Sequence, residues 1–458
     1  MVIIFSFLAY GCSKNPDIIE EPVKTEEETH TTPEPQTPTE EPSEPVSGVT
    51  EDIPYYLPAT QLSKQSTPEQ REIIGSANEF SFRLFNKAFN NPAFGSEDEG
   101  GVVTYDVSNI SLSPLSVQFS LGMVGNYVKN EVSLCEMLGF EEREIEGVNE
   151  YYKNLMGLLS ENGQNGMSIA NALMRDTLSV PFKKDFINVL KDYYSADYQC
   201  FEAYPLAELA PGSRPEDIWV REKTNGMIKS APLPILQRGY SLFNVISFKG
   251  DWTDKFLTEN TKSDFFHKDA STDIMLPTMR QTNYFAYYKD SVFSSVSMTL
   301  SEGNYLLTVL LPDEEKGVSD IIGELNSESW NALRKGLLLK KVEIHIPKFE
   351  MTFSHNHIFN LLDDKYQTDY TEELDRMFKE DPDNTHLLNK IAQKTFFSID
   401  ENGASAAAVT QVGPATDPYP WDPIVFKVDH PFVYVLSETG SGLIVFLGVF
   451  SGKDTVLE

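Results

Sequence analysis

The chain has 458 residues, of which 40% are hydrophobic and 12% aromatic, so it can bury a large core and is not disordered throughout. Its 69 acidic residues against 37 Lys and Arg give a formal charge of −32. An acidic chain repels a phosphate backbone, so we expect no nucleic-acid partner. Its three cysteines, Cys12, Cys135 and Cys200, are too few for a disulfide scaffold, and we expect Cys135 and Cys200 to fill apolar core positions.

The amino terminus is predicted to be an export signal. Residues 1–11 form an apolar run that is too short to span a bilayer and that stops at Cys12. The letters LAYGC at residues 8–12 resemble a bacterial lipobox, in which the cysteine becomes lipid-modified after cleavage. We therefore expect residues 1–11 to be a signal peptide that is followed by a lipid anchor at Cys12. The protein would then be held in the cell envelope or at the cell surface, facing the periplasm or the exterior; a plain signal peptide with an incidental cysteine is the alternative.

Residues 12–54 are predicted to be a tether. Ser13 to Pro54 contains twelve acidic residues, two lysines and eight prolines, and both like charge and proline oppose collapse. We expect an extended, solvated link between the membrane and a folded domain; a disordered tail without a task is the alternative. Residues 55–458 show no second linker and no internal repeat, so we expect one domain, with regular structure starting at a helix capped by Ser76.

Helices are predicted early in the domain and strands later. Three segments have helical spacing: Ser116–Tyr127, Lys184–Tyr193 and Pro215–Ile228. Four segments have the pattern of strands: Tyr305–Leu311, Val342–Ile346, Phe432–Leu436 and Leu443–Phe450. The last two flank a glycine-rich turn and predict a hairpin. This order indicates a mixed α+β domain with extensive antiparallel sheet.

Catalytic motifs are absent from the sequence. There is no GxSxG nucleophile elbow, no HExxH or CxxC metal motif and no GxxxxGK[ST] phosphate loop. His355 and His357 form a close pair without further ligands, which favours a polar loop or strand edge over a metal site. The acidic pair Asp363 and Asp364 is interpreted as solvated surface. We expect no enzyme, no metal and no cofactor.

One segment near the carboxyl end departs from its local context. A strand-like stretch, 395–399, is followed by small residues with no proline until Pro414. Alternate residues form one small, mostly apolar face: Ala404, Ala406, Ala408, Thr410 and Val412. Such a face suits the middle of a sheet, where large or charged side chains are blocked.

This segment resembles the hinge and reactive-centre loop of a serpin, and the similarity covers nearly all of Ser76 to Gly452. Six motifs follow the order of that family: NISLSPLS at 109–116, IWV with TNG and Ile228 at 218–228, FKGDW at 248–252, LPD at 311–313, IPKF at 346–349 and DHPF at 429–432. Residues 363–389 match poorly, and the loop from Gly403 to Pro431 is slightly longer than usual.

The resemblance implies a monomer with an α+β fold of three β-sheets, about eight or nine helices and an exposed reactive-centre loop. It implies a hinge, the start of that loop, at Glu401, Gly403, Ala404, Ala406, Ala407 and Ala408. It implies a breach, the place where the loop enters the sheet, at Trp252. It also implies a shutter, the polar cluster beneath the sheet, at Ser113, Ser116, Asn244 and Gln393. Gln393 stands where the family has a histidine, and its amide can still donate and accept hydrogen bonds.

The function that the resemblance implies is suicide inhibition of serine or cysteine endopeptidases by loop cleavage and insertion into the central sheet. The partners would be such a protease and, through the anchor, a membrane. A non-inhibitory binding or carrier protein on the same fold is the alternative. The small hinge residues favour the inhibitor, whereas Pro414 and the long loop leave the carrier open.

The reactive bond is predicted between Thr416 and Asp417. Seventeen residues counted from Glu401, with Glu401 included, end at Asp417. Pro418 follows it, however, and proline after a scissile bond is sterically poor for serine proteases. The bond one residue earlier suits an elastase-like pocket for small side chains. The bond after Trp421 is the second candidate and suits a chymotrypsin- or cathepsin-like enzyme.

Overall fold

The structure of the protein is a computed structural model that describes residues 52–91, 96–97, 103–104, 109–127, 131–140, 145–160, 165–202, 204, 210, 212–235, 239–355, 358–362, 377–378, 392–404 and 422–452. The helices in these ranges are α1 (Gln61–Gln65), α2 (Pro68–Asn90), α3 (Pro114–Gly125), α4 (Glu131–Met137), α5 (Ile145–Ser160), α6 (Lys184–Tyr194), α7 (Pro215–Lys223), α8 (Val318–Glu324) and α9 (Ser327–Lys335).

The strands in the same ranges are β1 (Ile53–Pro54), β2 (Ser96–Glu97), β3 (Val103–Thr104), β4 (Ile110–Leu112), β5 (Gly166–Asp176), β6 (Asp197–Phe201), β7 (Tyr240–Asp251), β8 (Lys262–Asp269), β9 (Thr272–Lys289), β10 (Phe293–Leu300), β11 (Tyr305–Pro312), β12 (Leu338–Pro347), β13 (Phe349–His355), β14 (Gln393–Ile399), β15 (Gly403–Ala404), β16 (Ile424–Lys427), β17 (Phe432–Glu438) and β18 (Ile444–Phe450). The predicted α+β class is confirmed.

The fold begins earlier than the sequence predicts. Pro54, which the sequence assigns to the tether, forms β1 together with Ile53 and pairs with β12. Helix α2 starts at Pro68, and the hydroxyl of Thr67 accepts a hydrogen bond from the Gln70 amide at 3.2 Å. Ser76 therefore lies inside a helix and does not cap one. A threonine cap followed by proline is the stronger start signal, because proline is already shaped for the first helical position.

Most strands belong to one ten-stranded sheet. Its order is β1-β12-β9-β10-β11-β17-β18-β4, with β16 also on β12 and β8 also on β9. The long strand β9 joins several parts of it, because its residues 272–278 pair with β8, residues 278–287 with β12 and residues 286–289 with β10. The predicted hairpin is present as the antiparallel pair β17 and β18. These strands, with the helices α2 and α3, enclose the main hydrophobic core.

Helix α7 is shorter than predicted. It ends at Lys223 because Asn225 and Gly226 adopt left-handed conformations, with φ of 50° and 83°. Trp219 of α7 and Ile228 of the following segment both pack with Phe243 in a second, smaller apolar cluster. This cluster places α7 and the segment after it against β5 and β7.

Candidate functional site

A divided sheet carries the site. Strands β6, β5, β7 and β15 form one hydrogen-bonded set, and β13 and β14 form another. Strands β7 and β14 lie side by side between the two sets, yet no hydrogen bond joins them within the described residues. We call this unpaired boundary the junction, and the two strands that border it, β7 and β14, its banks. A strand can enter there only if β7 and β14 move apart to about two strand spacings, or ~9.5 Å.

A tight turn closes one end of the junction. The carboxylate of Asp400 accepts hydrogen bonds from the amides of Asn402 at 2.7 Å and Gly403 at 3.3 Å. Asparagine and glycine are typical turn residues, and Gly403 has a φ of 143° that other residues rarely adopt. A Cβ at Gly403 would lie 2.1 Å from the carbonyl oxygen of Gly250. The glycine thus allows β15 to lie against the end of β7.

Glu401 fixes this turn to the body of the domain. Its two carboxylate oxygens accept hydrogen bonds from the Thr261 hydroxyl at 2.7 Å and the Lys348 ammonium at 2.8 Å. Its backbone carbonyl accepts from the Phe256 amide at 3.1 Å. Burial alone would raise the pKa of Glu401, but the bonds from Lys348 and Thr261 outweigh it and hold that pKa below its ordinary value. The hinge is therefore anchored by an ionised, nearly buried carboxylate.

Trp252 holds the same turn from the side of β7. Its indole N–H donates to the carbonyl of Asp400 at 2.7 Å, and its backbone amide donates to the carbonyl of Asn402 at 2.9 Å. The ring is only 3% exposed and contacts Phe256 edge-on, with 5.8 Å between ring centroids. Two hydrogen bonds and a buried ring thus join the end of β7 to the hinge.

The predicted shutter residues flank the junction as two pairs. The Gln393 amide accepts from the Ser113 backbone N–H at 3.0 Å and donates to the Ser113 carbonyl at 2.7 Å. On the side of β7, the Ser116 hydroxyl donates to the Asn244 carbonyl at 3.4 Å, and the Asn244 side chain donates to Asn171 at 2.7 Å. Within the described residues, Gln393 and Asn244 are not bonded to each other. The two pairs thus tie both β14 and β7 to the start of helix α3, through its cap residue Ser113 and through Ser116.

The opposite face of the junction is covered by α7 and the chain that follows it. Trp219 and Ile228 pack with Phe243 of β7, and Phe396 of β14 packs against the same cluster. The Lys394 ammonium also donates to the hydroxyl of Ser230 at 2.8 Å. This cover therefore contacts both banks of the junction.

The cover is itself fixed by buried charges. Arg214 donates to the two carboxylate oxygens of Asp217 at 2.6 and 2.9 Å, and Asp217 also accepts from the Ala231 amide at 2.8 Å. Asp217 and its neighbour Glu216 are fully buried. A pair of this kind is costly to break, because separating it leaves a buried charge without a partner.

Comparison with known proteins identifies this architecture. Residues 76–452 match the protein family described as "Serpin (serine protease inhibitor)". The chain belongs to the serpin family.

Named relatives and solved structures agree with this assignment. Intracellular coagulation inhibitor 1 of Tachypleus tridentatus is 26% identical over 86% of this chain and 92% of its own length. The native state of the thermophilic serpin tengpin superposes with a TM-score of 0.69 at 23% identity, over 87% of this chain and 97% of its own. Thyroxine-binding globulin in complex with thyroxine has a TM-score of 0.68 at 21% identity, over 83% and 99%. The family thus includes protease inhibitors and non-inhibitory carriers.

Several predicted site residues lie outside the described part of this serpin. They are Cys12, Ala406, Ala407, Ala408, Thr416 and Asp417. The predictions for these residues remain predictions. The described hinge residues Glu401, Gly403 and Ala404 lie at the same end of the junction as Trp252.

The prediction for Cys200 is wrong. Cys135 is buried as expected, but Cys200 is exposed. The next residue of β6, Phe201, packs against the smaller apolar cluster, so Cys200 points to the opposite face of the sheet, where it is exposed. Within the ranges that the structure covers, no three His, Cys, Asp or Glu side chains are grouped to hold a metal ion. No helix in those ranges is long and apolar enough to cross a membrane.

Sequence reasoning missed the partners of the hinge. Lys348 lies in the IPKF motif, but nothing in that motif shows that it pairs with Glu401. Thr261, the other partner of Glu401, and Asn171, the partner of the shutter residue Asn244, carry no sequence signal, because each acts through a contact with a residue far along the chain. The tight turn at residues 400–403 could have been predicted from the sequence, because Asp and Asn-Gly are typical of tight turns.

Proposed function

We propose that this serpin inhibits serine or cysteine endopeptidases by cleavage and insertion of its loop. The observation that carries the proposal is the position of β15. Gly403 lies opposite Asp251 and Ala404 opposite Gly250, so β15 already pairs antiparallel with β7 at one end of the junction. It runs in the direction that leads along β7. In the intact fold, Gly403 and Ala404 are therefore already paired with β7, as the first step of a strand insertion would require.

Continuing this register indicates which loop residues would face the core. Three successive pairs would be Ala406 with Phe248, Ala408 with Ile246 and Thr410 with Asn244. Phe248 and Ile246 belong to the main hydrophobic core. Residues directly opposite each other share a face, so the small alternate residues of the loop would enter that core. Larger or charged residues there would clash or lose their solvation.

The energy for insertion would come from the unpaired edges of β7 and β14. A strand between them would add backbone hydrogen bonds on both sides, each contributing ~1 kcal/mol net. It would also bury the apolar face of the loop. The intact fold is then less stable than the cleaved one.

The proposed reaction uses the nucleophile of the protease. Its serine or cysteine attacks the carbonyl carbon of Thr416, the bond to Asp417 breaks, and the Asp417 amine leaves with a proton. Thr416 stays bound to the protease as an ester or thioester. Insertion of the loop then displaces the protease before water can hydrolyse that bond. The serpin supplies no catalytic residue and is not an enzyme.

The target class follows from the reactive bond. A threonine before the cut suits an elastase-like pocket, and cleavage after Trp421 would indicate a chymotrypsin- or cathepsin-like target. The test is incubation with a panel of such proteases, followed by denaturing electrophoresis and mass spectrometry of the new amino terminus. A denaturant-resistant covalent complex supports inhibition and identifies the bond. Cleavage without any complex would contradict it and favour the carrier function.

A second measurement does not depend on trapping a protease. Loop-cut protein is expected to melt at a higher temperature than intact protein, because the inserted strand completes the divided sheet. An equal or lower melting temperature of the cut protein would show that the loop does not insert.

We also propose that Cys12 carries the lipid anchor. The support is the apolar run that ends at this cysteine and the acidic, proline-rich stretch after it. Cys12→Ser is expected to move the protein out of the membrane fraction or to leave its signal unprocessed. Unchanged membrane fractionation of Cys12→Ser would contradict the proposal.

A further inference from the structure

An ordered segment precedes the part of the chain that matches the family. Residues 52–60, here called the N-terminal strap, lie upstream of the matched residues 76–452. The strap alternates along its length: Tyr55 and Leu57 pack against the main core, whereas Tyr56 is 85% exposed. Alternation of this kind is typical of an extended segment with one buried face.

The strap is fixed at both ends. At its start, Ile53 pairs with Leu339 of β12, and the Tyr55 amide donates to the Leu337 carbonyl at 2.8 Å. At its end, Thr60 caps α1 and contacts the turn between β17 and β18, where a Cβ on Gly440 would lie 2.4 Å from the Thr60 hydroxyl. The strap is therefore a built part of the domain.

The strap and the chain after the loop share one strand edge. Strand β9 pairs with β12 from Leu338 to Pro347 and so occupies one edge of it. On the other edge, β1 pairs with residues 338–339 and β16 with residues 342–345. β16 is the first described strand after the reactive-centre loop, so the strap and the strand that follows the loop occupy the same edge of β12.

Tyr55 and the breach residue Trp252 line the same small cavity. Its volume is about 40 Å³, and its other walls include Asp254, Phe285 and Met298. Burial, and then the charge of Asp254, raise the pKa of Tyr55 above its ordinary value, as expected for a ring in a poorly hydrated site. Removing the Tyr55 ring would enlarge the cavity behind the indole that holds Asp400.

We propose that Tyr55 is a positioning residue for the hinge: it holds Trp252 in place and so slows the entry of a strand into the junction of the intact protein. The inference rests on the proposed insertion mechanism, because it concerns the same step. Among the described residues, no hydrogen bond joins Tyr55 to the hinge residues Glu401, Gly403 and Ala404. It acts through the two hydrogen bonds that Trp252 donates to the hinge.

The test measures strand entry without a protease. A fluorescein-labelled peptide with the sequence of residues 404–412 is added to the intact full chain, and its uptake is followed by fluorescence anisotropy. Tyr55→Ala is expected to take up the peptide about fivefold faster than the unaltered protein, which corresponds to ~1 kcal/mol at 1.4 kcal/mol per factor of ten. Tyr55→Phe, which keeps the ring, should restore the slow rate.

Tyr56→Ala is the matched control, because its side chain is the exposed neighbour in the same strap. Each variant is compared at the same interval below its own melting temperature, so that a general loss of stability does not change the ranking. Tyr55→Leu, which keeps apolar volume without a ring, should fall between the alanine variant and the unaltered protein, and it replaces Tyr55→Ala if that variant does not fold. Equal rates for the Tyr55 and Tyr56 variants would overturn this proposal alone. Uptake by none of the proteins would overturn the insertion mechanism together with it.

Discussion

The ten-stranded sheet and the divided sheet use their strand edges in opposite ways. In the ten-stranded sheet, β11 pairs with both β10 and β17, and every residue of β11, β17 and β18 is buried. In the divided sheet, β7 is bonded to β5 on one edge, but on the other edge the described residues that pair with it are only the two of β15. Strand β14 pairs only with β13 within the described residues.

This difference separates stability from function. A strand bonded on both edges and buried on both faces has little left to gain, so β11, β17 and β18 act as a rigid base. The facing edges of β7 and β14 still have backbone donors and acceptors to pair, so the divided sheet can gain a strand. Each bank is held in place by side-chain hydrogen bonds and not by strand pairing across the junction. Examples are the bonds of Gln393 with Ser113 and of Trp252 with Asp400. Substitutions in the rigid base should therefore lower the stability of the fold, whereas substitutions at the junction or in the loop should change how readily a strand inserts.

The largest effect is expected in the loop. Ala406→Arg would place a cation opposite Phe248 in the core if the proposed register is right. Burying an unpaired guanidinium costs several kcal/mol, so insertion should stall and the acyl-enzyme should hydrolyse. The variant should be cut at the same bond as a plain substrate, with loss of the stable complex and recovery of protease activity on gels and in activity assays.

Ser405→Arg is the matched control for that variant. The same register places Ser405 opposite Lys249, which is only half-buried, so an arginine there should impair trapping less. If Ala406→Arg traps protease as well as the unaltered protein, either the register or the mechanism is wrong. If both variants fail equally, the face assignment is wrong.

The second prediction concerns the rigid base. Leu307 of β11 is 0% exposed, so Leu307→Ala should lower the free energy of unfolding by about 2–5 kcal/mol. The loss should be the same in intact and loop-cut protein, because β11 is fully paired in the intact fold. Denaturant unfolding of both forms measures it. A loss that differs between the two forms would show that insertion rearranges the ten-stranded sheet as well.

The sequence predicted the rigid base better than the divided sheet. Tyr305–Leu311 is recognisable as a strand because an unbroken apolar run ends at Pro312, and the structure has β11 at Tyr305–Pro312. The same reasoning found Phe432–Leu436 and the strand after it. Such strands owe their pattern to burial, which composition and periodicity record directly.

The divided sheet depends on contacts that no local pattern records. The resemblance placed Glu401 and Gln393, but the partners Lys348 and the Ser113 backbone come from other elements. The N-terminal strap was missed because Pro54 and the acidic run before it resemble a tether, and its pairing with β12 is a long-range contact. Burial of Cys200 was wrongly expected because the exposed face of β6 cannot be recognised from that strand alone.

The third prediction tests the polar bonds at the junction. Gln393→Leu would leave the buried N–H of Ser113 without its partner, at a cost of about 1–3 kcal/mol, whereas the Ser113 carbonyl would still accept from the Ser116 amide at 3.1 Å. The substitution should also speed uptake of the 404–412 peptide, whereas Leu307→Ala should not. Gln393→His keeps a donor and an acceptor but at a different angle, so it should be intermediate. Unchanged uptake by Gln393→Leu would mean that this pair does not restrain the junction.

The smallest effect is expected from pH at the hinge. The folded-state pKa of Glu401 lies below its ordinary value of 4.5, so the ionised carboxylate stabilises the fold above that value, and this contribution is lost as the pH falls through and below it. Asp429 contributes in the same direction at more acid pH: burial alone would raise its pKa, but the bonds from His430 and Lys427 lower it to about 2. Other carboxylates titrate too, so the difference from Glu401→Gln is the informative quantity, because glutamine cannot ionise. The melting-temperature advantage of the unaltered protein over Glu401→Gln should be largest near neutral pH and should shrink below about pH 4.5. An advantage that stays constant down to acid pH would mean that the ion pair with Lys348 does not hold the hinge, and that Thr261 and the backbone bonds alone do so.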